Sequence, residues 1–343
     1  MGETQQAGMV DGPLVSGTKD RSLVRALVSV ARPTQWSKSA FVLVGPAYGA
    51  ADALEAGADM GGIVLRALLA AAAFALGSSG CYVLNDLADR EADRLHPRKR
   101  HRPFAAGQIT PRQGVVFAVS LFVVAGLMVA LTPAVDGRPV NTTLLLGACL
   151  AGYVCNVLLY SSYLKRRVIA DVMSLSLGFV IRVMAGCAAV GIEPSSWLLN
   201  ATLFLAMFLS FGKRLGERRT LDDGFNDPGA LAAHRAVQGR YTDDLLRMAV
   251  VVTGVTSLGT YCLYVQEVEA MYTFGFNLLW LTVLPATYGL LRAIVLVERG
   301  VYDDPTELAV HDRAFQIAAG GFVLMTGVLV VWRMWGEEIW VWG

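Results

Sequence analysis

The sequence Asn85-Asp86-Leu87-Ala88-Asp89-Arg90-Glu91-Ala92-Asp93 follows directly on an apolar run over residues 61–84. If the helix of that run continues, Asn85, Asp89 and Asp93 lie at i, i+4 and i+8 and share one face. Eight residues advance a helix by about 12 Å and rotate it by only about 80°. The stretch therefore predicts a ladder of three oxygen-bearing side chains at the end of an apolar helix.

Carboxylates one helical turn apart repel each other by a few tenths of a kcal/mol per pair when no cation lies between them. Mg²⁺ prefers oxygen ligands and is commonly shared with substrate phosphates, and Mn²⁺ is its alternative here. Asp86 points about 100° away from the ladder, so we expect it to accept hydrogen bonds, cap the helix or help to hold a second ion. The alternative interpretation is a solvated, charge-balanced loop.

A basic segment, Arg94-Leu95-His96-Pro97-Arg98-Lys99-Arg100-His101-Arg102-Pro103, follows the ladder at once. Arg98, Lys99 and Arg102 are candidate phosphate ligands, because arginine offers a bidentate fork and lysine a point charge. The alternative is the ordinary excess of basic residues in loops on one side of a membrane. Carboxylates followed by cations favour a metal–diphosphate site.

The rest of the sequence is typical of a membrane-spanning protein. It has 343 residues, of which 55% are hydrophobic and 17% charged. Its net charge of +1 gives no reason to expect a nucleic-acid partner. Apolar spans near the ~20 residues needed to cross a bilayer recur along the chain. They predict an all-α integral membrane bundle of about nine transmembrane helices, over residues 38–54, 61–84, 113–132, 141–162, 168–190, 195–212, 245–266, 273–296 and 314–335.

Lysine and arginine are concentrated in alternate connections, which predicts a cytoplasmic N-terminus, an outer C-terminus and location in the plasma (inner) membrane. The two long connections, 85–112 and 213–244, then lie on the cytoplasmic side, where we expect the active site. Residues 1–20 lack periodicity and are predicted to be a disordered tail. Residues 21–343 are predicted to form a single transmembrane domain.

Four further residues are candidates. Lys213 and Glu217 are four residues apart, which suits either a helix-end salt bridge or contacts with a phosphate and with a metal or sugar hydroxyl. Arg182 falls near the middle of a span, where a charge must face the bundle and have a partner, such as a substrate phosphate. Asp171 is expected to pair with residues 165–167 at least as readily as to act in catalysis.

These motifs resemble those of the UbiA superfamily of intramembrane prenyltransferases, above all Asn85-x-x-x-Asp89-x-x-x-Asp93 after the second span. Further motifs resemble its decaprenyl-phosphate phosphoribosyltransferase branch. They are Arg32-Pro33-x-Gln35-Trp36-x-Lys38, Arg102-Pro103-x-Ala105-Ala106-Gly107, Gly212-Lys213-Arg214-x-x-Glu217 and Asp304-Pro305 with Asp312-Arg313. Aromatic prenyltransferases of the superfamily carry a second Asp-x-x-x-Asp motif where this chain has Lys213 and Glu217.

The resemblance implies an enzyme that moves 5-phosphoribosyl from 5-phosphoribosyl 1-diphosphate to a polyprenyl (decaprenyl) phosphate in the membrane, for cell-wall arabinan precursors. It implies Mg²⁺ on Asn85, Asp89 and Asp93, and phosphate contacts from Lys38, Lys165 and Lys213 beside the basic segment. The alternatives are a prenyltransferase that uses prenyl diphosphate and an aromatic acceptor, and a transporter without turnover. The sequence leaves a homo-oligomer open.

Overall fold

The computed structural model describes residues 16–55, 57–95, 99–222, 241–268, 272–273, 275–299 and 311–340. They confirm the all-α membrane architecture, since eight helices in these ranges are long and apolar enough to cross a bilayer. The first predicted span, 38–54, is built differently. It is a 3-10 helix, Pro33–Leu43, that runs directly into an α-helix, Val44–Glu55.

The structure contains eleven α-helices in the described ranges. In chain order they are α1 (Ser16–Ala31), α2 (Val44–Glu55), α3 (Met60–Ala88), α4 (Arg90–Leu95), α5 (Pro111–Ala130), α6 (Thr142–Ser162), α7 (Ala170–Val190), α8 (Ser196–Asp222), α9 (Asp243–Glu267), α10 (Val283–Glu298) and α11 (Arg313–Trp340). Short 3-10 helices span Lys99–His101, Leu164–Arg166 and Leu278–Thr282. Strands β1 (Tyr272–Thr273) and β2 (Phe276–Asn277) pair antiparallel, with Tyr272 opposite Asn277.

Polar side chains begin several of the spans. Thr110 and Gln113 form a reciprocal capping box at the start of α5, whose first residue is Pro111. Asn141 caps α6 and Thr242 caps α9 by accepting hydrogen bonds from backbone amides. Each cap satisfies an amide that has no partner within its helix, which matters most next to an apolar phase.

Helix α7 lies at the centre of the bundle and is the most buried of the eight candidate spans. Glycines let the first span approach it closely. A Cβ at Gly186 would overlap the carbonyl oxygen of Val42, and one at Gly45 would overlap the Cys187 sulfur. Such contacts between small residues replace the hydrophobic driving force that is absent between helices in lipid. Helix α7 consequently packs against α2, α3, α6 and α8.

Helix α1 packs against α3. Its Ala26 and Val30 are buried with Val83 of α3 and with Phe104. Residues 1–15 of the predicted tail lie outside the described part of the chain, and residues 16–20 are the first residues of α1.

The span predicted over 273–296 begins later in the structure, at Leu278. Strands β1 and β2 precede it, and we call this antiparallel pair the hairpin. Asn277 donates to the Val265 carbonyl and accepts from the Leu279 amide, so its polar side chain ends the hairpin and begins the helical turn.

Candidate active site

The helical course continues through the predicted ladder. The Asp89 amide donates to the Asn85 carbonyl and the Asp93 amide to the Asp89 carbonyl, each at 2.9 Å. The Asn85 side-chain amide in turn donates to Oδ2 of Asp89 at 3.2 Å. The structure thus places these two polar side chains side by side where α3 ends. We call Asn85, Asp86, Asp89 and Asp93 the acidic corner.

Two of the acidic corner's carboxylates are buried and share one arginine. Asp86 is 3% exposed and Asp93 4% exposed. Arg102 donates to Oδ2 of Asp93 at 2.9 Å and to Oδ1 of Asp86 at 3.3 Å. Arg32 also donates to Oδ1 of Asp86, at 2.6 Å. Asp86 therefore lies behind the ladder, where it fixes two cations.

Arg32 was not predicted as a site residue, although it opens the motif Arg32-Pro33-x-Gln35-Trp36-x-Lys38. It directly precedes the 3-10 helix Pro33–Leu43, and in its motif only Lys38 was predicted to bind a phosphate. Its backbone is left-handed, with φ 51°, which is uncommon for a residue other than glycine. That conformation turns the chain so that the guanidinium reaches Asp86.

Asp89 is the acidic group that remains open to the surroundings, with its side chain 35% exposed. Lys165, from the connection between α6 and α7, donates to its two oxygens at 3.2 and 3.4 Å. A basic segment 76 residues away in sequence therefore meets the acidic corner. The acidic and basic candidates converge at one end of the bundle.

The other predicted phosphate ligands that the structure describes differ in exposure. Lys38 and Lys99 are partly buried, and Lys213 is exposed near the end of α8. Arg98 and the side chain of Glu217 lie outside the described residues, so the structure gives no position for these two candidates.

Arg182 is buried in α7, with 4% exposure. Its guanidinium donates to the Gly178 carbonyl at 2.9 Å and to the Tyr153 hydroxyl at 2.7 Å. It also lies 4.4 Å from the centroid of the Tyr153 ring and 5.4 Å from that of Phe179. Within the described ranges no carboxylate pairs with it and its Nε has no acceptor. Aromatic rings and a phenol therefore supply the partners of this charge.

Asp171 is fully buried at the start of α7. Its carboxylate forms no salt bridge with the described residues 165–167. Arg214 of α8 donates to its Oδ2 at 3.1 Å, and the Tyr241 hydroxyl donates to its Oδ1 at 2.7 Å. The reason is that the first turn of α7 faces the end of α8, whereas Lys165 turns toward Asp89. Burial raises the pKa of the Tyr241 hydroxyl, which keeps it a hydrogen-bond donor.

The donor set suits a hard divalent cation. Asn85, Asp89 and Asp93 present oxygen atoms, which Mg²⁺ prefers to nitrogen or sulfur. Asn85 and Asp89 are partly exposed and adjacent, and both carboxylates of the ladder already attract cationic side chains. In the ranges that the structure describes, no three His, Cys, Asp or Glu side chains form a group that could hold a metal. An ion here would therefore need the Asn85 oxygen or groups from a substrate.

The fold and the site are those of a polytopic membrane protein whose acidic and basic side chains meet at one end of a helical bundle. The chain belongs to the UbiA prenyltransferase family, whose model matches residues 40–217.

Relatives over nearly the whole length narrow the comparison. The chain is 30% identical to the decaprenyl-phosphate phosphoribosyltransferase of Mycolicibacterium smegmatis, over 87% of this chain and 90% of that protein. It is also 30% identical to the Mycobacterium tuberculosis protein of that name, over 90% of this chain and 95% of the relative.

The solved structures support the fold. A UbiA homolog from Archaeoglobus fulgidus bound to DMAPP and Mg²⁺ superposes with a TM-score of 0.61 at 16% identity, covering 89% of this chain and 99% of that one. A structure of the same homolog bound to Cd²⁺ gives a TM-score of 0.56 at 15% identity, covering 89% of this chain and 99% of that one.

Proposed function

We propose that this chain transfers 5-phosphoribosyl from 5-phosphoribosyl 1-diphosphate to a polyprenyl phosphate and releases diphosphate. The observation that carries the proposal is the salt bridge between Asp89 and Lys165, which brings the acidic corner together with the basic connection between α6 and α7. A donor with both a diphosphate and a separate phosphate needs both acidic and basic side chains in its binding site. The similarity to decaprenyl-phosphate phosphoribosyltransferases over most of the chain supports the same substrates.

On this proposal Asn85, Asp89 and Asp93 hold Mg²⁺, with Mn²⁺ as the alternative and Asp86 as a supporting carboxylate. The bound ion supplies positive charge that offsets the charge of the departing diphosphate. Asp86 contributes through Arg32 and Arg102, because it keeps both guanidiniums close to the ladder. The acidic corner is thus rimmed by cations that its own buried carboxylates hold in place.

The cationic side chains bind the phosphate groups of the two substrates. Lys165 changes partner from Asp89 to a phosphate oxygen when the donor arrives. Further lysines and arginines add positive potential in a site of low dielectric, where such charges act more strongly than in water. They are Lys38, Arg98, Lys99, Arg102 and Lys213, with Glu217 as a contact to a ribose hydroxyl or to the metal.

The reaction needs no general base. The bond between ribose C1 and the diphosphate oxygen breaks, and its electron pair leaves with the diphosphate. An anionic oxygen of the lipid phosphate then forms the new bond to C1, so no proton has to be removed. The side chains named above orient the two phosphates and stabilise their charge in the transition state.

Arg182 is the deepest cation in the proposed site. Its Nε has no acceptor among the described residues, and its partners there are neutral: the Gly178 carbonyl, the Tyr153 hydroxyl and the rings of Tyr153 and Phe179. A substrate phosphate would give this guanidinium an anionic partner, so we propose that it attracts one of the two substrates toward the bundle.

The site is proposed to face the cytoplasm, where phosphoribosyl diphosphate is available. The excess of lysine and arginine in the connections on its side supports that orientation in the plasma membrane. The lipid substrate reaches the site from the bilayer.

The test is an assay with the protein purified in nanodiscs. Labelled phosphoribosyl diphosphate is incubated with polyprenyl phosphate and Mg²⁺, and the lipid fraction is extracted. We expect label in the lipid, and none after chelation with EDTA. A parallel reaction with prenyl diphosphate and an aromatic acceptor tests the rival activity. Prenylation of the ring without labelling of the lipid would overturn the proposal.

A further inference from the structure

Two residues other than glycine have positive φ in the described part of the chain, Arg32 at 51° and Ile169 at 69°. A β-branched side chain makes the second conformation the more unfavourable. Such backbone strain costs of order 1–3 kcal/mol and persists only where surrounding contacts enforce it. Arg32 donates a hydrogen bond to Asp86, and Ile169 follows Lys165 by four positions. Each strained residue is therefore a cation of the acidic corner or lies close to one in sequence.

The contact that holds Ile169 is a tyrosine hydroxyl. The Ile169 amide donates to the Tyr241 oxygen at 2.6 Å, and the same hydroxyl donates its proton to Asp171. Arg214 donates to the other oxygen of Asp171. We call Asp171, Arg214 and Tyr241 the Asp171 cluster. It joins the α6–α7 connection, the end of α8 and the residues just before α9.

The connection between the Asp171 cluster and Lys165 is short and internally bonded. Lys165 lies in the 3-10 helix Leu164–Arg166, which the Arg167 amide closes by donating to the Leu164 carbonyl at 2.9 Å. The Asp171 amide donates to the Arg167 carbonyl at 3.0 Å. A displacement of Ile169 or Asp171 is therefore transmitted to Lys165 rather than absorbed by a loose loop.

We propose that Asp171, Arg214 and Tyr241 are positioning residues, which hold Lys165 over Asp89 so that it meets the donor's phosphate. The inference rests on the proposed function. None of the three has to touch a substrate.

The test is a double-mutant cycle between Tyr241→Phe and Lys165→Ala in nanodiscs. Tyr241→Phe removes one hydroxyl, which takes the acceptor from Ile169 and a donor from Asp171. We expect the KM for phosphoribosyl diphosphate to rise about tenfold, as for loss of a buried hydrogen bond, and kcat to change less. In the Lys165→Ala background we expect the same change to raise KM less than about twofold, because coupled residues are non-additive.

Tyr288→Phe is the matched control, because that hydroxyl belongs to an exposed side chain on α10. It should leave KM unchanged. If Tyr241→Phe raises KM equally with and without Lys165, or merely lowers the amount of folded protein in both backgrounds, the cluster is structural and the inference is wrong.

Hydrogen exchange separates this inference from the proposed function. In the substrate-free protein, Tyr241→Phe should speed amide exchange in the peptide over residues 163–171, and Tyr288→Phe should not. If the wild type transfers no phosphoribosyl group, the proposed function fails while the exchange result still decides whether the cluster holds the segment. Unchanged exchange over 163–171 would overturn the inference by itself.

Discussion

The acidic corner and the Asp171 cluster both bury carboxylates against arginine at the same end of the bundle, but they differ in balance. In the Asp171 cluster one carboxylate meets one guanidinium and a phenol. In the acidic corner three carboxylates face two guanidiniums, and the third carboxylate, Asp89, is turned outward to a lysine. The first arrangement is closed, whereas the second includes a partly exposed carboxylate, Asp89, whose cationic partner among the described residues is a lysine.

That difference separates a positioning role, in the Asp171 cluster, from a direct binding role in the acidic corner. A buried charge without a partner is costly, so a closed pair mainly holds its helices in register. A partly exposed carboxylate whose counter-ion is a flexible lysine can exchange that partner for a metal ion or release the lysine to a phosphate. Mutations in the acidic corner should therefore act mainly on activity, whereas mutations in the Asp171 cluster should act on stability and, through Lys165, on the KM for the donor.

The largest effect is expected at the open carboxylate. Asp89→Asn keeps the shape of the side chain and removes its charge, so kcat/KM should fall about 10³-fold, the upper range for loss of one preorganised electrostatic contact. Glu91→Gln is the control, because that acid lies exposed two residues away and pairs with Arg90 and Arg94. The assay is transfer of labelled phosphoribosyl groups to lipid. Activity of the Asp89 variant within threefold of wild type would remove Asp89 from the site.

The next largest effect contrasts two neighbours on α8. Arg214→Gln leaves the fully buried Asp171 without its cation and should lower the free energy of unfolding by about 3 kcal/mol, as for a broken buried pair. Lys213→Gln, at an exposed position, should leave stability unchanged and raise the KM of the donor. Titration with SDS measures the first quantity and steady-state kinetics the second. Equal stability of the two variants would contradict the closed-pair interpretation of the Asp171 cluster.

A smaller loss of stability is expected from Arg102→Gln. The variant deprives two buried carboxylates of a shared donor, but Arg102 is 31% exposed and Asp86 keeps Arg32. We expect about 2 kcal/mol, less than for a fully buried pair. Adding Asp93→Asn should recover part of it, because the neutral amide no longer needs the guanidinium. If the double variant is no more stable than Arg102→Gln alone, the bond between Arg102 and Asp93 contributes little.

The sequence was informative where one segment decides the geometry. Helical spacing predicted that Asn85 and Asp89 are neighbours, and apolar run lengths predicted most of the spans. Both depend on local periodicity, which is readable along the chain. Lys165, which pairs with Asp89 of the acidic corner, was among the predicted phosphate ligands.

Contacts between distant segments could not be predicted in the same way. The partners of Asp171 come from α8 and from the residue at position 241, and they depend on how α7 packs against its neighbours. Arg32 contacts Asp86 from a left-handed backbone conformation. Its neighbours in the sequence do not predict that conformation. The phenol and rings around Arg182 likewise come from two helices. Tertiary packing, rather than periodicity, selects these contacts.

The smallest expected effect concerns Asp312, which resembles the Asp171 cluster in holding one carboxylate to one guanidinium but lies at a partly exposed helix start. Arg292 donates to it at 2.8 Å and the Phe315 amide at 2.7 Å. The Arg292 hydrogen bond, followed by that amide, lowers the pKa of the Asp312 carboxyl. The folded state thus favours the ionised form. Its contribution to stability is present above the unfolded carboxyl pKa of about 3.9 and is lost as the pH falls through the lower folded value.

Asp312→Asn tests the charge alone, because asparagine still caps a helix. We expect a slightly less stable protein at neutral pH, and a difference from wild type that shrinks as the pH falls below about 4, where the wild-type carboxyl becomes protonated. Unfolding midpoints in detergent across that range measure it, with Asp244→Asn as a control at an exposed acid in the first turn of α9. A difference that stays constant with pH would mean that Asp312 acts through its shape and hydrogen bonds. Closed carboxylate–guanidinium pairs would then stabilise this bundle by geometry rather than by charge, and the contrast with Asp89 would be sharper still.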